Sequence, residues 1–263
     1  MIIQKQFITN LASRKTRIDR REQEEFRQIE IETGVIAKAE GSARVKIGRT
    51  EVIAGVKMNV GQPFPDTPAE GVLMVGAEFS PIASPDFEKG PPDEDSIELA
   101  RVVDRGIRES GAIDTKKLCI KEKEKVWMVY VDIHILNHAG NLIDAAGIAA
   151  ICALLTAKIP EYDEESETVN YEKKHKKLPM KSKPVPITVF RMANGMFLDP
   201  NLEEEDVMSV CLTVTTKDDG SICALQKGGS GPLSMEEIEK AFELSISKGA
   251  EIRKQIEETL KPL

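Results

Sequence analysis

Between Ser96 and Glu109 the chain reads S-I-E-L-A-R-V-V-D-R-G-I-R-E. Arg101, Arg105 and Arg108 stand at i, i+4 and i+7, which a 3.6-residue pitch brings onto one face. Leu99, Ala100, Val102, Val103 and Ile107 take most of the other positions, so the arginines project from a rod otherwise built for burial. A row of planar guanidinium forks with apolar flanks suits phosphate or another anion. The same spacing also allows a self-contained set of ion pairs: Glu98–Arg101, Arg101–Asp104, Asp104–Arg108 and Arg105–Glu109. These residues alone leave both readings open.

Other candidates for chemistry are weaker. His134 and His138 are four apart, but on a strand and its turn, without the carboxylate of H-E-x-x-H. Strand packing and turn hydrogen bonding explain them better than a metal site. No Ser/His/Asp order and no Cys/His pair stands out. Lys227-Gly228-Gly229-Ser230-Gly231 is glycine-rich but lacks the strand and helix context of a P-loop, so it reads as a turn whose N–H groups could face an anion. Cys119, Cys152, Cys211 and Cys223 are widely separated, as expected of reduced core thiols in a cytoplasmic protein.

The elements that must position these residues follow from periodicity. Asp93, Asp95 and Ser96 offer caps to the arginine helix. Residues 1 to about 30 read as helical, with Ile2, Ile3, Phe7, Ile8 and Leu11 on one face, interrupted by the basic elbow Arg14 to Arg21. A solvated surface turn is the plain reading of that elbow. Period-two alternation predicts strands at Val35–Ala37, Ala43–Ile47, Glu51–Val56, Gly71–Phe79 and Trp127–Leu136. The Pro81–Asp95 connection is long and irregular. Asp144–Ile159 is apolar on nearly every side, hence a buried central helix. Residues 160–184 are expected as an exposed linker or long hairpin, with Lys173–Lys177 solvated or meeting RNA. Further strands are predicted over Val185–Met192, Met196–Asp199, Met208–Thr216 and Ser221–Gln226. Ser234-Met235-Glu236-Glu237 is a capping box opening the last helix. The class is α+β, in two related halves.

With 263 residues, 41% hydrophobic and 30% charged, the chain can bury a substantial core. Its net charge of −8 argues against a general nucleic-acid coat; contact with a polyanion must use a local patch or a channel shared with a partner. No apolar run reaches bilayer length and the first residues lack a signal-peptide pattern.

Gly41-Ser42-Ala43-Arg44-Val45-Lys46-Ile47-Gly48-Arg49-Thr50 resembles the G-S-A-x-V-x-x-G-x-T signature of the RNase PH family. Arg17-Ile18-Asp19-Arg20-Arg21 is similar to that family's R-x-D-G-R, with Arg20 in the glycine place. Gly90–Glu94, Glu98–Arg105, Leu198-Asp199-Pro200 and Glu203–Met208 resemble one branch in particular, the non-catalytic RNase PH-like subunits of the archaeal exosome. The resemblance implies an RNase PH-like fold with a first domain over residues 1–178, a second over 185–263, and 160–184 as the exposed linker.

The departures from catalytic members imply inactivity. Where those members carry a phosphate-cradling turn, this chain reads Leu142-Ile143-Asp144-Ala145-Ala146-Gly147, with Asp144 expected to repel an anion at the helix N-terminus. Val207 and Ser209 stand at the places of their paired aspartates, on what is expected to be a strand, with Asp206 one residue out of phase. Pro91-Pro92-Asp93-Glu94-Asp95 replaces their arginine pair. Catalytic residues and metal ligands are therefore expected to be absent. The resemblance implies that Arg101, Arg105 and, one turn further on, Arg108 bind the single-stranded RNA 3′ end at the active site of a catalytic paralogue. It also implies an alternating hexameric ring (a trimer of heterodimers), cap subunits with RNA-binding domains, and no cofactor on this chain. Inorganic phosphate would be used by the catalytic partner. The alternative is a self-sufficient phosphorolytic 3′→5′ exoribonuclease.

Overall fold

The computed structural model describes residues 2–261. A helix α1 (Ile2–Ser13) leads through turns to strands β1 (Ile29–Thr33), β2 (Gly41–Ile47), β3 (Thr50–Gly61) and β4 (Val72–Phe79). Helix α2 (Glu94–Glu109), the short β5 (Cys119–Lys121), the long β6 (Lys125–Asn137) and helix α3 (Leu142–Thr156) complete the first half. The first sheet has the order β1-β2-β3-β6-β4, antiparallel except for β4 beside β6, with β5 on β6. Val129, Val131, Ile133 and Ile135 alternate inward on β6 and are fully buried, the period-two pattern of a sheet with one face on the core.

Next, β7 (Lys158–Asp163) pairs antiparallel with β8 (Thr168–Lys177), so the stretch expected as linker or hairpin is a two-stranded hairpin over most of its length. The second sheet contains β9 (Val185–Met192), β10 (Gly195–Leu198), β11 (Val210–Thr216) and β12 (Ile222–Gly228), ordered β10-β9-β11-β12. A one-turn helix α4 (Leu202–Glu205) precedes β11, and α5 (Met235–Leu260) closes the chain behind the Ser234/Glu237 capping box. Among the described residues no helix is long and apolar enough to cross a membrane.

Helix α3 packs on β2, β3 and β9, which explains why it is apolar all round. Two glycines mark close approaches. A Cβ on Gly41 would collide with the Ala153 carbonyl of α3. Gly140, at φ +91°, stands where a Cβ would lie 2.5 Å from the Pro200 carbonyl oxygen, in a backbone region that glycine alone enters cheaply. One core joins both halves, from Val45 and Val131 through Ile148 to Ile187, Val214 and Ile252. A smaller cluster sets Ile8 and Ala12 of α1 against Phe190, Met192 and Phe197.

Several sequence expectations need correction. The first helix stops at Ser13 instead of continuing toward residue 30. Val35–Ala37 is a loop, and the strand lies earlier, at β1. The basic elbow is a solvated turn only in part: Arg14, Lys15 and Arg20 are exposed, while Arg17 and Arg21 turn inward. Arg17 is 1% exposed, its guanidinium paired to Glu204 (Nη2–Oε2 2.5 Å) and donating to the Leu198 and Asp199 carbonyls, each at 2.8 Å. Asp199 collects Arg21 (2.8 Å) and Arg27 (2.7 Å) as well. Against the pull of burial, hydrogen bonds from Arg27 hold the Asp199 carboxyl below its usual range. A guanidinium survives burial only where its five donors and its charge are met, and here the Leu198–Glu205 segment meets them together with the Glu25 carbonyl at 3.3 Å.

Candidate nucleic-acid interface

Helix α2 begins where Asp93, in extended conformation, accepts the Ser96 N–H at 2.8 Å. Glu94 and Asp95 in its first turn and Arg108 in its last suit the helix dipole. Leu99, Ala100, Val102, Val103 and Ile107 are buried, as the spacing predicts, and the helix lies against β4, α3 and β12.

The three arginines divide. Arg108 pairs with Asp104 (Nη2–Oδ1 2.7 Å, Nε–Oδ2 3.0 Å) and donates to the Leu73 carbonyl at 3.0 Å. The Asp104 hydrogen bonds push its pKa upward. Of the four intrahelical ion pairs the spacing allows, this one forms. Arg101 and Arg105 are exposed and, among the described residues, neither is held by an ion pair or hydrogen bond. Glu98 instead accepts from Gln226 at 3.0 Å. The two free arginines, with Glu94, Ile97, Glu98, Val102 and Gln226, line an open concavity of about 350 Å³. Two cationic forks one turn apart, with unused donors, are equipped to hold successive anions.

A second cavity, of about 370 Å³, lies at the N-terminus of α3, where a phosphate site would be sought. It is closed to anions by the chain itself, though not quite as expected. Asp144 is fully buried and turned toward β9, accepting from Thr188 N (3.0 Å), Thr188 Oγ1 (2.8 Å) and Asn141 Nδ2 (3.0 Å). The carboxylate that meets the helix N-terminus is Glu205, whose Oε1 accepts the Asn141 N–H at 2.7 Å. Asn141 itself is left-handed, at φ 58°. Asp95 and Glu98 also line this cavity. Sequence reasoning missed Glu205; its signal was the acidic run Glu203–Asp206, quoted for the resemblance but given no role.

Val207 and Ser209, which the resemblance sets against paired aspartates, carry no carboxyl. Val207 packs in the smaller cluster, and Ser209 meets Arg191 at 3.2 Å. Both precede β11, which starts at Val210, so they lie in a loop and not on the expected strand. Asp206 caps α4 and is exposed. His138 stacks on Phe87 at 5.4 Å, and burial pushes its pKa down. His134 faces Glu78 at 3.4 Å. Among the described residues no three His, Cys, Asp or Glu side chains are grouped to hold a metal ion.

Burial pushes the carboxyls of both Asp144 and Glu205 up to about 7. A carboxyl whose folded pKa is raised stabilises the fold fully below its unfolded pKa of about 4 and loses that contribution as pH rises through about 7. The melting temperature is therefore expected to fall by a few degrees between pH 5 and pH 8. Asp144→Asn should flatten the slope. Its amide oxygen can accept from Thr188 N and Asn141, while its NH₂ donates to Thr188 Oγ1, which turns its own proton to Thr213 Oγ1, 2.8 Å away. Thermal melts of both proteins across that range check this; parallel profiles would remove Asp144 as the cause.

Residues 25–160 match the 3′ exoribonuclease family, domain 1, and residues 183–248 match its domain 2. The chain is 48% identical over 261 residues to the exosome complex component Rrp42 of Methanothermobacter thermautotrophicus, covering 99% of this chain and 96% of that protein. With Rrp42 of Pyrococcus horikoshii the figures are 49% over 261 residues, 98% and 95%. A chain of the Archaeoglobus fulgidus exosome, solved with RNA bound to the active site, superposes with a TM-score of 0.89 at 46% identity, covering 96% of this chain and 97% of that one. Rice Rrp46, at 18% identity and a TM-score of 0.71 over 93% of this chain and all of that one, shares the fold. On matches that span both halves, the chain belongs to the RNase PH family of 3′ exoribonucleases and stands with its Rrp42 exosome components.

Proposed function

We propose that this chain is a non-catalytic, RNA-binding structural subunit of an archaeal exosome, a phosphate-dependent 3′→5′ exoribonuclease ring in the cytoplasm. The observation that carries the reading is a division of charge. Arg101 and Arg105 stand exposed and, among the described residues, unpaired, while the chain's own phosphate position is filled by Glu205. Anion-binding capacity is thus kept on the outer face of α2 and withdrawn from the internal site.

In the ring, Arg101 and Arg105 hold backbone phosphates of the RNA 3′ end at the active site of a catalytic RNase PH-like paralogue. Three copies of each subunit alternate, beneath cap subunits that carry RNA-binding domains. The paralogue binds inorganic phosphate and performs phosphorolysis. Arg108, engaged with Asp104, braces the C-terminal turn of the helix and reaches RNA only if that pair opens.

Incubating the purified chain with single-stranded RNA and phosphate should release no nucleoside diphosphates, and adding the catalytic paralogue should start their release. Diphosphate release by the chain alone would favour the self-sufficient exoribonuclease instead.

A further inference from the structure

In the β7–β8 hairpin the two strands do not match residue for residue. Glu161 faces Asn170 and Pro160 faces Lys174, so Tyr171, Glu172 and Lys173 have no residue opposite them. A bulge of this kind bends its strand and re-aims side chains. Here it brings the Tyr171 ring to Lys57 of β3, whose Nζ stands 4.8 Å from the ring centroid. Tyr171 is 42% exposed and belongs to neither hydrophobic cluster, so packing does not account for its position.

The base of the hairpin gathers lysines around that ring. Lys57 is fixed by Glu40 (Nζ–Oε2 2.8 Å) and by the Lys38 carbonyl at 3.1 Å. Lys158 donates its backbone N–H to the Glu40 carbonyl at 3.0 Å and stands directly opposite Lys177 in the ladder. Like charges so placed are destabilising, and an anion between them would offset the repulsion. Lys38, Lys158 and Lys177 are exposed, and among the described residues none of them has an ion-pair partner. Of the carboxylates nearby, Glu40 is engaged by Lys57 and Glu161 by Lys173 at 3.3 Å. Glu172, in the bulge, is left against three unpaired lysines. In a chain of net charge −8, this local excess of positive charge marks a surface for an anion.

An open aromatic face beside cations is the combination that holds an unstacked base and its flanking phosphates. An acidic peptide would use the lysines and leave the ring idle. We propose that the base of the β7–β8 hairpin is a contact for single-stranded RNA independent of α2, in which a base stacks on Tyr171 while Lys38, Lys158 and Lys177 hold the neighbouring phosphates. Lys57, itself held by Glu40, backs the ring from the protein side. The contact reads no sequence, since every base offers a π face and the phosphates are common to all.

The probe is a short single-stranded RNA carrying 2-aminopurine, whose emission falls when it stacks. It is titrated at low ionic strength into the full chain bearing Arg101→Ala and Arg105→Ala, so that α2 makes no contribution and the two contacts succeed or fail separately. Binding should be accompanied by quenching. Tyr171→Ala should abolish the quench and weaken binding about tenfold, while Tyr171→Phe keeps both. Lys158→Ala with Lys177→Ala should flatten the slope of log K against log[salt] by about 1.4, the value of two single-strand phosphate contacts. The charge-matched pair Lys240→Ala with Lys254→Ala, exposed on α5, should change neither the quench nor the slope. Binding without a quench, a quench that survives Tyr171→Ala, or an equal change of slope in the α5 control would each overturn the proposal. A polyglutamate peptide that binds more tightly than the RNA, unaffected by Tyr171→Ala, would assign the surface to an acidic protein and overturn it too.

Discussion

Arg17→Ala should destabilise the protein by about 3–5 kcal/mol, the penalty of stranding a buried charge whose partner has been removed. Arg17 sits at 1% exposure, and its partner Glu204 is fully buried. Once the guanidinium is gone, the Glu204 carboxylate keeps the Asn201 N–H at 3.0 Å and, as a distant ion-pair partner, Arg21 at 3.9 Å; the Leu198 carbonyl loses its Arg17 donor, and the Asp199 carbonyl is left with Arg21 Nη2 at 3.0 Å. Against a total stability of about 5–15 kcal/mol for an ordinary domain, that loss is large enough to leave a measurable unfolded fraction at growth temperature. Arg17→Lys should rescue little, because a single ammonium cannot serve two carbonyls and both carboxylate oxygens at once. Adding Glu204→Gln to Arg17→Ala should recover part of the loss, since the stranded charge is then removed. Chemical denaturation of the four proteins of this cycle gives the coupling directly; strictly additive losses would mean that Arg17 and Glu204 stabilise the fold independently.

That cluster also marks where the sequence stops being readable. Runs of arginine are usually solvated, and nothing near residue 17 announces that its partner lies 187 positions away. Local pattern succeeded where burial is one-sided. β2, β3 and β6 each put alternate residues on the core, and that constraint is written in their composition. It failed at β1, whose Ile-Glu-Ile-Glu-Thr follows the Glu- and Gln-rich stretch 22–28 and so continues a helix-like composition. Val35–Ala37 looked like a strand because it is apolar, yet Ile36 is 38% exposed in a loop.

The candidate site was legible to the same degree and for the same reason. The i, i+4, i+7 spacing placed the arginines on a helix face, but spacing alone cannot choose between Asp104 and RNA as a partner for each. The fold chooses for Arg108, because the Leu73 carbonyl of β4 supplies an additional acceptor for the same guanidinium. Glu205 was illegible for the reason Arg17 was: it acts on Asn141, 64 positions earlier, across the junction of the two halves. A carboxylate plugging a helix N-terminus from a distant one-turn helix leaves no local periodicity to detect.

In the ring reconstituted with the catalytic paralogue, Arg101→Ala with Arg105→Ala should weaken single-stranded RNA binding about 10- to 100-fold, irrespective of RNA sequence. Each phosphate contact carries about 0.7 in the slope of log K against log[salt] for a single strand, so losing two should flatten that slope by about 1.4. The same double variant should keep the wild-type stability to within about 0.5 kcal/mol, because neither side chain has a bond to another described residue to lose. Arg108→Ala should behave oppositely. It breaks the Asp104 pair and the bond to the Leu73 carbonyl, so a small loss of stability should accompany a smaller change in RNA affinity. Fluorescence anisotropy without phosphate, over a series of salt concentrations, separates binding from turnover. An unchanged slope in the double variant would leave the subunit as a scaffold that does not touch RNA through α2. A loss of RNA binding confined to Arg108→Ala would mean that the Asp104 pair opens in the ring, making its C-terminal turn the RNA contact.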